Sequence, residues 1–359
     1  MKRFFATFVL AIAVAGSAFA QKWVDATELG IHGYTQKTDK GTYYRFDHTP
    51  YEGFNKTIVN YSMYPAGLYV TFKTNSSQIS ANWENVPHRM GDNMTGISQH
   101  GLDLYIKVDG KWKFAAVGRI STLPEKNARQ RTLIKNLPEG ENEFLLYLPG
   151  WCKLTKLEIG VDENAIIKGI PTPFKHKVIV HGSSITHGAS ASRPAMNYPA
   201  LLSRNLGIDF INFGFSGQCK MQPQFLEFLK SCEADAFVFD AFSNPTTKEI
   251  KERLENFVTE LVKAHPGKPL IFLQTPFIDS MDTKQYQSRI TRRDTVAKLM
   301  EELTSKYKDV YFLDVRGVLG EDGTVDGTHP TDLGFDRFVK AYQPKIAKIL
   351  KKYGIKGNK

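Results

Sequence analysis

The sequence predicts an antiparallel β-sandwich followed by an α/β domain built on a five-stranded parallel sheet. As far as about Gly160, apolar residues recur at every second position, the period of a half-buried strand. Beyond residue 174, short apolar runs alternate with segments of helical spacing, the pattern of a parallel sheet covered on both faces. The run Val178-Ile179-Val180-His181-Gly182-Ser183-Ser184-Ile185-Thr186-His187-Gly188 adds a third observation. A β-branched stretch stops at a small, hydroxyl-rich turn and passes into helix-compatible sequence. Ser184 is thereby expected where a buried strand hands over to a helix, with its hydroxyl at the carboxyl edge of the sheet.

Taken in order, the first twenty residues have the pattern of an export leader. Lys2 and Arg3 precede an apolar stretch from Phe8 to Ala15, and Ala18-Phe19-Ala20 is a small-x-small cleavage site. Cleavage after Ala20 is expected, with the chain acting in a bacterial periplasm or outside the cell. The apolar stretch is too short to span a bilayer, and no membrane span is expected elsewhere. Residues 21–163 read as the sandwich. Leu68, Val70 and Phe72 alternate with polar neighbours, as do Leu104, Ile106 and Val108, and Asp109-Gly110 predicts a hairpin turn into Lys111–Phe114. Residues 164–174, with Pro171-Thr172-Pro173, read as the connection between domains.

From residue 175 to 359 the expected strands are Lys177–Val180, Phe210–Asn212, Ala236–Asp240, Leu270–Gln274 and Val310–Asp314. Helices are expected at Tyr198–Leu206, Pro223–Ser231, Thr247–Ala264, Gln287–Tyr307 and from about Leu333 to Tyr353. The formal charge of +10 falls to +8 without Lys2 and Arg3, and much of the excess lies on lysines along and beyond the last helix. Such a run reads as a solvated helix face, and no nucleic-acid module accompanies it. Cys152, Cys219 and Cys232 fit no zinc or redox spacing, and buried thiols are favoured over a Cys219–Cys232 bridge.

Four segments should converge on the carboxyl edge of the parallel sheet. The first turn presents Ser184. The second, Asn212-Phe213-Gly214-Phe215-Ser216-Gly217, can bring a backbone N–H close to a ligand, and the third, Asp240-Ala241-Phe242-Ser243-Asn244-Pro245, offers an amide side chain. The loop before the last helix supplies Asp326 and His329, three positions apart. Ester hydrolysis needs a nucleophile, a base, a group that orients the base and donors for the oxyanion, and all four are present. Asp and His on one loop, with no Gly-x-Ser-x-Gly, argue against the α/β-hydrolase fold.

On these residues the chain resembles the SGNH (GDSL-type) hydrolases. Gly182-Ser183-Ser184-Ile185 stands in place of the first block, and Asp326 and His329 in place of the Asp-x-x-His block. The resemblance implies a flavodoxin-like three-layer α/β/α domain with Ser184 as nucleophile, His329 as base and Asp326 as the triad acid. It also implies an oxyanion hole from Ser184, Gly217 and Asn244, with no metal or organic cofactor. Gly101-Leu102-Asp103-Leu104-Tyr105 is similar to the Gly-x-Asp-Leu-Tyr signature of a sandwich that precedes some members. Ser183 departs from the family's Gly-Asp-Ser, and Gln218-Cys219 stands where a smaller polar pair is expected.

The expected function is a secreted serine esterase acting on small acyl esters, acetyl foremost, on carbohydrates. Its partner is then a small acyl ester or acylated glycan. The other readings are a short-chain lipid or general acyl esterase, and a glycan-binding protein with a vestigial site. Beside the nucleophile turn, His181 and His187 read as packing residues. Arg193 reads equally as a substrate contact or a surface ion pair, and Tyr69, Trp83, Trp112 and Trp151 read as core.

Overall fold

The structure is a computed structural model that describes residues 20–88, 90–120, 128–276 and 283–358; all of the expected leader except Ala20 lies outside them. The first half contributes β1 (Gln21–Asp25), β2 (Ile31–His32), β3 (Tyr69–Thr74), β4 (Ile79–Asn85), β5 (Leu102–Val108), β6 (Lys111–Gly118), β7 (Ala128–Ile134), β8 (Asn142–Tyr147), β9 (Leu154–Asp162) and β10 (Ile167–Gly169). Three short helices interrupt them: α1 (Ala26–Leu29), α2 (Lys56–Ser62) and α3 (Gly96–His100). One sheet runs β1-β9-β4-β7 and the other β10-β3-β8-β5-β6, with β2 beside β3. The β10 strand falls inside the segment expected to be a plain connection and pairs antiparallel with β3.

Alternation does the sorting here. Val70, Phe72, Trp83, Leu104, Phe144 and Ile159 point inward and share one buried core between the two sheets. The β5–β6 hairpin turns through Asp109 and Gly110 at φ of 51° and 73°, the paired positive values that suit the strands' twist.

The second half supplies five parallel strands, β11 (Lys175–Gly182), β12 (Ile208–Gly214), β13 (Ala236–Asp240), β14 (Leu270–Leu273) and β15 (Val310–Leu313). They are arranged β12-β11-β13-β14-β15. Its helices are α4 (Ser184–His187), α5 (Tyr198–Leu206), α6 (Pro223–Ser231), α7 (Thr247–Ala264), α8 (Thr283–Lys306) and α9 (Asp332–Lys352). Val178, Val180 and Val238 face α5 and α9, while Ile179, Phe237 and Phe239 face the aromatic layer over α6, α7 and α8. Strand order reverses beside β11, so the crevice at the ends of β11 and β13 is the place this topology offers to a ligand.

The two halves are joined by buried polar contacts as well as by rings. Gly101 lies so close to the carbonyls of Gly118 and Ile97 that a Cβ would stand 2.5 and 2.7 Å from them. Leu102 and Leu104 enter the sandwich core. Asp103, fully buried, accepts from Arg193 Nη1 through both oxygens at 3.1 Å and from the Ala195 N–H at 3.0 Å. The Tyr105 hydroxyl meets the same guanidinium at 2.8 Å. The Gly-x-Asp-Leu-Tyr signature is therefore a clamp on the second domain, and Arg193 is its partner. Tyr69 of β3 likewise donates to Asp209 of β12 at 3.0 Å. Trp151 stacks on His187 at 3.8 Å between ring centroids, and His187 Nε2 bonds to the Gly150 carbonyl at 2.9 Å. Burial holds the His187 imidazole well below its ordinary pKa, with the Arg45 charge acting the same way, so it is a neutral packing group.

Asp103→Ala would leave the Arg193 charge without its carboxylate in the interface. It should cost about 3–5 kcal/mol of unfolding free energy, measured by urea denaturation. Burial also raises the Asp209 carboxyl to about 7 despite the bond from Tyr69. A folded pKa above the unfolded value means a contribution fully present below about pH 4 and lost as pH rises through 7. Asp209→Asn should accordingly gain thermal stability over wild type at pH 8 and show little or no gain at pH 4.

Candidate active site

Ser183 and Ser184 divide two tasks between adjacent hydroxyls. Ser183 caps α4, its Oγ accepting the Ile185 N–H at 3.1 Å and donating to Asp240 Oδ2 at 2.5 Å. Its hydroxyl is consumed inside the protein. Ser184 begins α4, lines an open cleft and meets His329 Nε2 through Oγ at 2.8 Å. The helix-capping role that a serine at this turn invites thus falls to Ser183, and the hydroxyl that borders the cleft is that of Ser184.

His329 is held by its own loop. Asp326 Oδ1 accepts the Thr328 and His329 N–H groups at 3.1 and 2.8 Å, while Oδ2 stands 2.7 Å from His329 Nδ1. Gly327 between them sits at φ of 78°, a left-handed turn that glycine adopts without strain. Partial burial would raise the Asp326 pKa, but the backbone and ring N–H of His329 and the Asn93 amide outweigh it and bring it to about 2. Asp326 is ionised at any working pH, and its charge faces the imidazole edge away from Ser184.

The cleft has a volume of about 490 Å³ and is walled by Ser184, Ser216, Gly217, Ser243, Asn244, Thr275, Arg289, Arg292 and His329, among others. Gly217 has φ of 70°, and a Cβ added there would meet nothing within 4 Å, so its backbone borders open space. Asn244 Oδ1 accepts the Cys219 N–H at 3.2 Å, which leaves the Nδ2 donors of Asn244 without a protein acceptor among the described residues. The unexpected Gln218-Cys219 pair thus acts through its backbone on Asn244, while the Gln218 side chain turns outward to accept from Asn55 at 2.7 Å. The Ser184 N–H, at the first position of α4, has no acceptor within its helix. Three donors therefore border the cleft around one hydroxyl.

Below them lies Asp240, wholly buried at the end of β13. It accepts Ser183 Oγ and the Ser183 N–H through Oδ2, Thr186 Oγ1 at 3.1 Å, and Ser243 Oγ at 3.0 Å through Oδ1. Burial raises its pKa, and these donors oppose the rise. His181 is likewise interior, bonded to the Phe213 carbonyl at 3.1 Å and 3.4 Å from the Cys219 thiol. All three cysteines are buried and unpaired. Among the described residues no group of three or more His, Cys, Asp or Glu could hold a metal ion.

The structure brings Ser184, Gly217, Asn244 and His329 to one cleft, with Asp326 behind His329, and adds residues that pattern reading missed. Asn93, from the loop before α3 of the sandwich, donates Nδ2 to Asp326 Oδ2 at 3.0 Å. Ser190 Oγ donates to the Asn93 carbonyl at 2.9 Å, and Thr95 Oγ1 to the Ser192 carbonyl at 2.6 Å, pinning that loop to the second domain. Asn93 sits 233 positions from Asp326 with no motif around it, so only the packing of the domains reveals it. Arg289 and Arg292 were equally hidden on a helix read only for its apolar spacing.

Residues 175–347 match the profile of the GDSL-like lipase/acylhydrolase family, and residues 21–167 match a GxDLY module described as the N-terminus of SGNH-hydrolase-type esterases. A GDSL-like lipase from Bacteroides ovatus superposes with a TM-score of 0.88 at 42% identity, over 92% of this chain and 98% of that one. A salicylyl-acyltransferase from a tetracycline biosynthetic pathway superposes at 0.71 with 19% identity, over 92% and 97% of the two chains. A family two carbohydrate esterase from Cellvibrio japonicus does so at 0.61 with 12% identity, over 92% and 98%. The latter two show a shared fold. Among curated proteins no significant match is found.

Removing the Asn93 amide takes one of two donors from Asp326 Oδ2, leaving His329 Nδ1, without touching the cleft. Asn93→Ala should lower kcat for an ester substrate by about tenfold with KM nearly unchanged, measured by steady-state kinetics.

Proposed function

Because the chain belongs to the GDSL-like lipase/acylhydrolase family and carries an SGNH-type N-terminal module, we propose that it is a serine esterase that removes small acyl groups, acetyl above all, from carbohydrates. The observation that carries this reading is the unbroken line from Ser184 Oγ to His329 Nε2 at 2.8 Å and from Nδ1 to Asp326 at 2.7 Å, opening on a cleft of donors.

In the reaction His329 takes the Ser184 proton as Oγ attacks the ester carbonyl. Asp326 keeps the Nδ1 proton in place and stabilises the imidazolium that forms. The carbonyl oxygen, now negative, lies among the Ser184 and Gly217 N–H groups and Asn244 Nδ2. These donors are already oriented, so little reorganisation opposes the charge as it develops. His329 returns its proton to the departing sugar oxygen, and the acyl group remains on Ser184. Water, deprotonated by His329, then releases the acid and restores the serine.

Among the described residues the wall sets Ile185 and Pro276 beside serines, threonines and arginines, with no long apolar lane, which favours a short acyl group over a long chain. The esterase from Cellvibrio japonicus, named for carbohydrate esters, has the same two-part architecture over nearly its whole length and supports a sugar as the alcohol. The basic start and small-x-small site before Gln21 support action after export, in a periplasm or outside the cell. Among the described residues no helix is long and apolar enough to cross a membrane.

Hydrolysis of an aryl acetate, and acetate release from acetylated oligosaccharides, test the reading directly. Ser184→Ala should reduce turnover by roughly ten-thousand-fold or more while leaving the thermal transition near that of wild type. Undiminished turnover in that variant would remove Ser184 from the mechanism.

A further inference from the structure

The wall of the cleft holds two guanidinium groups and, among the described residues, no carboxylate. Both come from α8, three positions apart and hence on one face of it. Arg289 donates Nη1 to the Gly327 carbonyl at 3.3 Å and Nη2 to Thr328 Oγ1 at 3.2 Å. Arg292 donates Nη1 to the Ser243 and Pro245 carbonyls at 3.2 and 3.4 Å. These are long bonds to neutral acceptors. Arg292 Nε and Nη2 have no protein acceptor, and neither arginine has an acidic partner among the described residues. The adjacent Arg293, which is outside the cleft wall, is paired with Asp294 at 3.1 Å. Burial and the neighbouring Arg289 charge both depress the Arg292 pKa.

Two like charges facing one cleft repel each other and have shed part of their water. A bound anion would relieve both costs, and the planar fork of a guanidinium suits a carboxylate in particular. The position of Arg289 says which part of an ester would carry that anion. Arg289 is tied to Gly327 and Thr328, the residues before His329. His329 delivers the proton to the leaving oxygen, so the alcohol half of the substrate lies on this side.

Resting on the serine-esterase reading above, we propose that Arg289 and Arg292 bind a carboxylate carried by the sugar that bears the ester. The substrate is then an O-acylated acidic glycan unit, an acetylated uronic acid in the simplest case. A cleft of about 490 Å³ lies in the range of pockets that take a ligand of this size. The positive charge of the two wall arginines also draws such an anion in before contact is made.

The test compares four substrates with the full chain: an O-acetylated uronic acid, its neutral uronamide, the hemisuccinate ester of a neutral sugar, and an aryl acetate. The acid should be turned over with kcat/KM about tenfold or more above the uronamide, the difference lying in KM and shrinking as salt is raised. Arg292→Gln and Arg289→Gln should each bring the acid-to-uronamide ratio towards one. Turnover of acid and uronamide at equal rates by wild type would overturn the proposal, as would variants that lose both equally, because the arginines would then only fasten the two loops. Preference for the hemisuccinate would overturn it by placing the anion on the acyl side. Failure on all sugar esters with the aryl acetate still cleaved would also sink it. No cleavage of any of the four would instead remove the esterase reading on which it rests.

Discussion

At the carboxyl end of β13 the Asp240 carboxylate is cut off from water and survives there by receiving the Ser183 N–H and the hydroxyls of Ser183, Thr186 and Ser243. An ion buried without such donors would cost far more than the fold can supply. The bonds also have a geometric result, because their donors come from different pieces of chain. Ser183 belongs to the turn after β11, Thr186 to α4 and Ser243 to the loop after β13. One carboxylate thus sets the position of Ser184 relative to Asn244, with a hydroxyl rather than a carboxylate at 183. An aspartate at 183 would set a second carboxyl group against Asp240 where the hydroxyl now donates across a 2.5 Å contact. The departure from Gly-Asp-Ser is compensated by a carboxylate from the neighbouring strand.

The site is also a product of the interface between the two halves. Parallel strands place Ser184 and Asn244 at the sheet edge, but the loop carrying Asp326 and His329 is long and lies beside the sandwich. Asn93 reaches Asp326 from that side, and its own backbone carbonyl is held by Ser190, just past α4. Rigid placement of that loop depends on the Asp103–Arg193 clamp and on the Tyr69, Tyr105 and Phe174 cluster, since these fix how the sandwich sits. Arg45, fully buried, completes the join by donating to the Gly214 carbonyl at 2.9 Å and lying over the Phe215 ring.

Much of this architecture was legible in the sequence because periodicity reports burial. The strand Ala236–Asp240 and the helices Tyr198–Leu206, Pro223–Ser231 and Thr247–Ala264 have the expected bounds, each set by a local signal such as the Thr246–Glu249 capping box or the left-handed Gly207. Two strands run longer than their apolar run, β11 by two residues at each end, because backbone pairing continues beyond the apolar side chains, from exposed Lys175 at one end to buried His181 and Gly182 at the other. The short helices of the sandwich were not legible: four to seven residues carry too few turns for a period to show. Of the site, the residues that act through strand-end turns could be read, since topology alone brings them together. Asn93, Arg289 and Arg292 could not, because their relevance comes from where distant surfaces meet, and no spacing encodes it.

Asn93 has a consequence for ancestry. A domain that merely tethers an enzyme to its target can be exchanged for another by gene fusion at little expense to turnover. Here the leading module lends an amide to the Asp326–His329 pair and fastens that amide with a bond from the trailing one. Shuffling between lineages would have to move both halves as a single heritable block, and a descendant that shed the first half would need a new neighbour for Asp326 before it could work as well.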